Sequence, residues 1–577
     1  MVLKQGKDIR ISIVAIFLWL IVLVIITRLF VLQILEHQYY TALAVDTHEI
    51  YQQLYPERGN IYIQDSRPGF KQEYPVAIQR PYYLVYAVPR DIPVDKKKAV
   101  VDSLSEIFNF SDEKKEQMLK DISKKDDPYE PIENKASEEA VKKLELAKLP
   151  GIKFISKNHR YYPENNLMSN LVGFLGSDVD GQLVGRYGIE GAWDQDLSGK
   201  SGYLTGKRGA AGSLISLAGK TLYESEDGVD LLLTIDRALQ NKACQELKLG
   251  MDTYKAKSSA LVLLEAKTGA VLAMCSYPGF NPNEYYDVKN IDAYNNTTIF
   301  TAYEPGSVFK PITMAMALDL NLVNPNTSFT DPGVRVIDNY RVYNAGKKQY
   351  GTVNMTNVLE QSINTGMIWV QEKIGKERFR KYVDLFGFGK KTGLRSDTEV
   401  AGDISSISKT ADIYYANASF GQGFTSTPLQ LAVAYTVFAG DGRLMKPYII
   451  EEVRYPNGQV KKTEPQVVDT VISTRAQKLI TGMLISVVEK GHGYAAQIGK
   501  YYIAGKTGTA QIASAEGGYS EASNHTFVGY FPADDAKFIM VVKYEVPQRE
   551  WAESTAAPTF EKVAEFALKY YGIEGER

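Results

Sequence analysis

At 577 residues the chain is too long for one ordinary hydrophobic core, and two or three domains are expected. With 44% hydrophobic and 23% charged residues it has the composition of a globular protein, not of a disordered or fibrous one. A net charge of −2 supplies no basic footprint, which argues against nucleic acid as a partner.

Residues 11–27, ISIVAIFLWLIVLVIIT, are uncharged and mostly apolar, with Lys4, Lys7 and Arg10 before them. Seventeen helical residues reach ~26 Å against a ~30 Å hydrocarbon core, so the helix is expected to continue through Arg28 to residue 35. Arg28 then snorkels toward the outer interface. A cleaved signal peptide would show small residues at the cut, and the flank TRLFVLQILEHQYY offers none. The basic flank predicts a cytoplasmic tail at 1–10, a transmembrane anchor at 11–35 and everything later outside the membrane.

Residues 36–225 mix short strand-like pieces with a Lys-, Asp- and Glu-rich section at 91–150, whose apolar residues recur at helical spacing. Short surface helices are predicted there, and GKRGAAGSL (206–214) reads as a loop. A composition shift follows Gly228. VDLLLTID reads as a strand, RALQNKACQEL as an amphipathic helix, and Ala260–Tyr277 as a β-hairpin. A helix-rich middle follows residue 307. KYYIAG, HTFVGYFP and KFIMVVKYEV then read as strands before the closing helix TFEKVAEFALKYY. The pattern is α+β. Domain boundaries are expected at 36–225 and 226–577.

Cys244 and Cys275 form no CxxC and no disulfide framework, and read as two separate buried small side chains. His37, His48, His159, His492 and His525 are scattered without metal-binding spacing, so no metal site is expected.

The segment YEPGSVFKPITMAMALDL places Ser307 and Lys310 three apart at the start of an apolar helix, with Pro311 where a first turn tolerates it. Residues i and i+3 share a face there, so the lysine amine is expected to reach the serine hydroxyl near free backbone N–H groups. A serine needs a base, and lysine serves when burial and nearby positive charge favour its neutral form. No GxSxG elbow or suggestively placed histidine supports a His-based triad. S-x-x-K recurs at Ser111–Lys114 and Ser406–Lys409, both in polar surroundings; the apolar helix behind Ser307 sets it apart.

Ser362 and Asn364, in VLEQSINTGMIWV, lie at a helix–loop junction where both can face a cleft; the bland alternative is helix capping. Lys506-Thr507-Gly508-Thr509 extends an apolar strand, which presents alternate side chains to a cleft, and Gly508 admits close backbone approach. The KTG copies at Lys267 and Lys391 read as turns. A phosphate-binding loop at AGKTG fails because position 500 is Lys500 rather than glycine.

These three elements in this order resemble the penicillin-binding proteins, whose signature is S-x-x-K, S-D-N and K-T-G. The middle residue departs, since this chain has Ser-Ile-Asn. The chain is similar to the class B, monofunctional members in the anchor followed by TRLFVLQ, in ERGNIY (57–62), RYYPEN (160–165), YGIEG (187–191), LTID (233–236), FGQG (420–423) and TPLQLA (427–432). Glu265 stands where that family commonly has Asp. The resemblance implies a transmembrane helix, a non-catalytic pedestal and a transpeptidase domain with an antiparallel sheet flanked by helices.

It also implies roles. Ser307 attacks the penultimate D-alanine of a peptidoglycan stem peptide, Lys310 is the base, Ser362 relays a proton and Asn364 orients the substrate amide. Lys506, Thr507, Gly508 and Thr509 bind the terminal carboxylate and peptide backbone, and the N–H groups of Ser307 and Thr509 form the oxyanion hole. No cofactor is implied, and β-lactams are implied as inhibitors. The EPGS approach and FGFG…TG favour the septal, division type over the elongation type. A polytopic glycan polymerase of the SEDS type and division proteins are implied partners. The alternatives are a D,D-carboxypeptidase or β-lactamase, which sends the acyl group to water, and a non-enzymatic penicillin sensor or division scaffold.

Overall fold

The computed structural model describes residues 19–27, 49–124, 127–179, 181–207, 221–396, 398–513 and 518–577. The chain divides into two compact units, Met1–Arg58 with Ser198–Gly228, and Gly59–Leu197 with Val229–Arg577. In the first unit, residues 19–27 are helical and exposed throughout. The rest of the expected anchor (11–18 and 28–35) lies outside the described residues, as do residues 208–214 of the expected loop. Among the described residues no helix is long and apolar enough to cross a membrane. Three strands, Glu49–Leu54, Gly202–Lys207 and Thr221–Tyr223, pair with Gly202–Lys207 in the centre.

The second unit opens with β1 (Ile61–Asp65), β2 (Gln72–Ala87), β3 (Glu130–Ala136) and β4 (Ile152–Tyr161). The charged section forms three surface helices, Lys97–Phe108, Asp112–Asp121 and Glu138–Ala147, which bury Val100, Val101 and Leu104, then Met118, then Val141 and Leu144. Then come β5 (Asp230–Asp236), α1 (Arg237–Tyr254), β6 (Ser258–Glu265), β7 (Val271–Tyr277) and α2 (Lys310–Asp319). The helical middle contains α3 (Met355–Glu360), α4 (Asn364–Ile374) and α5 (Pro428–Ala439). After it come β8 (Ile450–Arg454), β9 (Val460–Lys462), α6 (Thr474–Lys490), β10 (Ala504–Ala513), β11 (Tyr519–Phe531), β12 (Phe538–Glu545) and α7 (Ala556–Tyr570).

One sheet runs β9-β8-β5-β1-β2-β3, with β4 also on β2, so strands before residue 162 share a sheet with β5 and β8. Three separate sequence stretches lock there. Buried Arg160 donates to Glu190 Oε1 at 2.7 Å and to the Gly59 carbonyl at 2.8 Å, and Tyr162 Oη donates to the same Glu190 oxygen. The pairing satisfies charges that burial would otherwise penalise by several kcal/mol.

The second sheet, β7-β6-β12-β11-β10, is antiparallel and buries both faces. Val262, Leu264, Ile539 and Val541 face one core, while Leu261, Leu263, Met540 and Val542 face the other with α1 and α7. The period-2 alternation of an apolar strand feeds two layers at once. On the first face lie α2 and α5, apolar on every side and buried along nearly all their length. Among the described residues the strand β10 ends this sheet, with no strand paired to its outer edge.

The cysteines correct the expectation. Cys244 on α1 and Cys275 on β7 are buried, but they form a disulfide, with Cα atoms 5.4 Å apart. The helix packs across the strand, and Gln240 bonds Met274 through both backbone groups, which fixes the register that brings the sulfurs together. Their pairing depends on that helix–strand packing, which spacing along the chain does not reveal. The bridge closes 31 residues, and constraining such a loop in the unfolded chain is worth roughly 3–4 kcal/mol. Replacing both cysteines by alanine is therefore expected to lower the unfolding free energy by that order, and the denaturant midpoint with it, without altering the native fold. Unchanged unfolding curves would contradict it.

Candidate active site

Ser307 lies in a 3-10 turn, Gly306–Phe309, that feeds directly into α2, with Lys310 its first residue. The helix start is fixed by Pro311 and by the apolar run behind it. Gly306 has φ +63°, and its N–H donates to the Gly421 carbonyl at 2.8 Å. A Cβ on Gly421 would fall 1.9 Å from the Gly306 oxygen, so the FGQG loop can lie this close only as glycine.

The second element closes on the first through Lys310. That side chain is fully buried, and its amine donates to Ser362 Oγ at 3.0 Å, to Asn364 Oδ1 at 2.8 Å and to the Ser362 carbonyl. No hydrogen bond joins it to the Ser307 hydroxyl; the amine turns instead to the Ser362–Asn364 segment. Ser362 adopts φ +54°, the left-handed region that L-residues rarely occupy. Its N–H and that of Ile363 close α3 on the carbonyls of Leu359 and Val358. Neither Ser362 nor Asn364 caps a helix N-terminus with its side chain. Asn364 is the first residue of α4, its amide donates to the Tyr343 carbonyl at 2.9 Å, and Ile363 makes no side-chain cap.

The third element is β10. A Cβ on Gly508 would meet the Pro305 oxygen at 3.0 Å and Val308 at 3.0 Å, so the strand presses against the serine turn. Lys506 is fully buried and donates to the Thr507 carbonyl at 3.1 Å. Thr509 Oγ1 accepts from the Ala552 N–H at 3.1 Å, which ties the strand's outer end to the loop before α7. The three stretches thus meet, with Ser307, Ser362, Asn364 and Thr509 partly exposed around two buried lysines. The other copies stand elsewhere: Ser111 caps a surface helix, Ser406 lies in a short turn, and the KTG copies at 267 and 391 lie in a hairpin turn and a loop.

Burial pushes the Lys310 amine well below its ordinary proton affinity, and the charge of Lys506 adds to the shift. Lys506 itself is lowered to about 7 by burial, partly offset by Glu553. Both effects favour a neutral, basic amine at the centre of the site. Glu304, three residues before Ser307, is raised by burial and receives the Gly423 N–H at 3.1 Å. Neither Glu304 nor Glu553 stood out in the sequence, because lone carboxylates carry no spacing signal.

The Lys506 shift fixes a sign for stability. The folded site binds this proton less tightly than the unfolded chain, whose lysine stays near 10.5. Between those values the unfolded state holds the extra proton, so stability rises with pH above about 7. Relative to Lys506→Met, the wild type is expected to gain roughly 1.4 kcal/mol per pH unit between about pH 7.5 and 9.5 in denaturant titrations. A difference that does not change with pH would contradict the assignment.

Comparison with known proteins agrees with this architecture. Residues 259–565 match the family model described as penicillin binding protein transpeptidase domain, and residues 53–233 match the penicillin-binding protein dimerisation domain. Stage V sporulation protein D of Bacillus subtilis is 31% identical over 574 residues, covering 98% of this chain and 86% of that one. Peptidoglycan D,D-transpeptidase FtsI of Escherichia coli is 31% identical over 436 residues, covering 75% and 70%. Penicillin binding protein 2X of Streptococcus thermophilus superposes with a TM-score of 0.75 at 22% identity, over 90% of this chain and 80% of that one, which shows the shared fold. With its three motifs gathered around one pair of buried lysines, the chain belongs to the class B penicillin-binding proteins.

Proposed function

We propose that this protein is a peptidoglycan D,D-transpeptidase that cross-links stem peptides through an acyl intermediate on Ser307, in cell-wall synthesis at the division septum. The observation that carries the reading is the buried Lys310 amine, held by Ser362 and Asn364 at the foot of the Ser307 turn. Family membership and the activity printed in the FtsI relative's name support the substrate class.

In the proposed cycle the Ser307 hydroxyl attacks the carbonyl of the penultimate D-alanine, and Lys310 takes its proton. Ser362 passes a proton to the departing D-alanine amine as the peptide bond breaks. Asn364 orients the substrate amide. Lys506, Thr507, Gly508 and Thr509 hold the terminal carboxylate and the peptide along the free edge of β10. The backbone N–H groups of Ser307 and Thr509 stabilise the oxyanion; a donor of this kind is typically worth ~10²–10³ in rate. The amine of a second stem peptide then displaces Ser307, which recovers its proton. β-Lactams acylate the same serine.

The domain reading is a tail at 1–10, an anchor at 11–35, a pedestal at 36–225 and the transpeptidase domain at 226–577. Nine consecutive exposed, mostly apolar helical residues at 19–27 support the anchor, since such a surface is costly in water. The catalytic domain is then extracytoplasmic, and a polytopic glycan polymerase and division proteins are its membrane partners.

Labelled penicillin, followed by mass spectrometry, tests the chemistry. A stable adduct at Ser307 is expected, absent in Ser307→Ala and slowed by ~10²–10⁴ in Lys310→Ala. Rapid loss of the label to water would favour a hydrolase. Full labelling of Lys310→Ala at neutral pH would remove Lys310 as the base, and undiminished cross-linking by Ser307→Ala would leave only a scaffold.

A further inference from the structure

We infer that Asp331 is a positioning residue for the Ser362–Asn364 segment, acting through Asn344 and Thr365. The inference rests on the transpeptidase reading and deepens it. It begins from a missing cap. The helix α4 starts at Asn364, and its first N–H groups have no carbonyl partners within the helix. Such a start is ordinarily capped by a Ser, Thr, Asp or Asn one residue earlier. Here that position is Ile363, which cannot cap, and Asn364 spends its side chain on Lys310 and Tyr343.

The cap comes from another part of the chain. Asn344 Oδ1 accepts the Thr365 N–H at 3.1 Å, and the Thr365 hydroxyl donates to Asp331 Oδ1 at 2.5 Å. Asp331 in turn receives the Asn344 amide at 2.9 Å, the Tyr350 N–H at 2.8 Å and the Gly333 N–H at 2.9 Å. All three of Asp331, Asn344 and Thr365 are buried. Burial alone would raise the Asp331 carboxyl; the bonds from Thr365, Gly333, Tyr350 and Asn344 outweigh it and hold the group below its usual range, so it stays ionised.

This arrangement frees the two functional side chains. With the Thr365 N–H capped by Asn344, which Asp331 holds in place, Asn364 and Ser362 both point their oxygens at the Lys310 amine. It also holds a strained backbone, because Ser362 stays at φ +54° only if its surroundings fix both sides. The α3 carbonyls fix the chain before it, and the Asp331–Asn344–Thr365 network fixes the chain after it.

The test uses the full-length protein and a fluorescent penicillin, measuring the saturating acylation rate, the final labelled fraction and the unfolding midpoint. Thr365→Val removes the hydroxyl but keeps the shape, and Thr365→Ser keeps the hydroxyl. Asn344→Ala removes the remote cap. Thr365→Val and Asn344→Ala are expected to acylate at least roughly tenfold more slowly while reaching the wild-type labelled fraction, with Thr365→Ser restoring the rate, as loosened orientation predicts. Wild-type rates in both variants, or a loss that only follows the folded fraction and is not rescued by serine, would overturn the inference. If Thr365→Val does not fold, Asn344→Ala against wild type decides it by the same two outcomes. Wild-type protein that forms no adduct at Ser307 would overturn the transpeptidase reading and this inference with it.

Discussion

A lysine amine with no access to water is the constraint on which the site depends. Lys310 is fully buried beside a second buried lysine, and its three hydrogen bonds all go to the Ser362–Asn364 segment. Desolvation penalises the ammonium, and the neighbouring cation adds repulsion, so the group is driven toward the neutral form that can take a proton. An exposed lysine in the same sequence motif would stay charged and would offer no base.

The fold serves that burial. The helix carrying Lys310 is apolar on all sides, so it can only lie inside, beneath the first face of the five-stranded sheet. Close approach then becomes a matter of absent side chains. Gly306, Gly421 and Gly508 let the serine turn, the FGQG loop and the edge strand touch backbone to backbone. Burying the sheet on both faces fixes β10 in place, and among the described residues no strand pairs with its outer edge. Tight packing thus holds Ser307, Asn364 and Lys506 together, although 199 positions separate the first from the last (506 − 307).

Much of this was legible in the sequence, and the limits have physical causes. The hairpin at 260–277, the strand at Lys506 and the helix after Ser307 follow from period and composition, which are local properties. Copies of S-x-x-K and K-T-G in polar turns could be set aside for the same reason. The disulfide could not be read, because Cys244 and Cys275 meet only through helix–strand packing. Spacing places Ser307 and Lys310 on the same face, but the direction of the lysine side chain is set by the acceptors that Ser362 and Asn364 supply. The remote cap supplied by Asn344 and held by Asp331 was likewise invisible, since the two lie 21 and 34 positions upstream of Thr365 and meet it only in the fold.

The most direct measurement is a titration of the Lys310 side chain itself. In protein carrying isotope-labelled lysine, the Lys310 Nζ resonance, assigned by comparison with Lys310→Arg, reports its protonation. A Lys310 amine that loses its proton well below the pH at which an exposed lysine does is the expected result. An ammonium that persists unchanged to pH 10 would contradict it, because Lys310 could then not take the proton of Ser307.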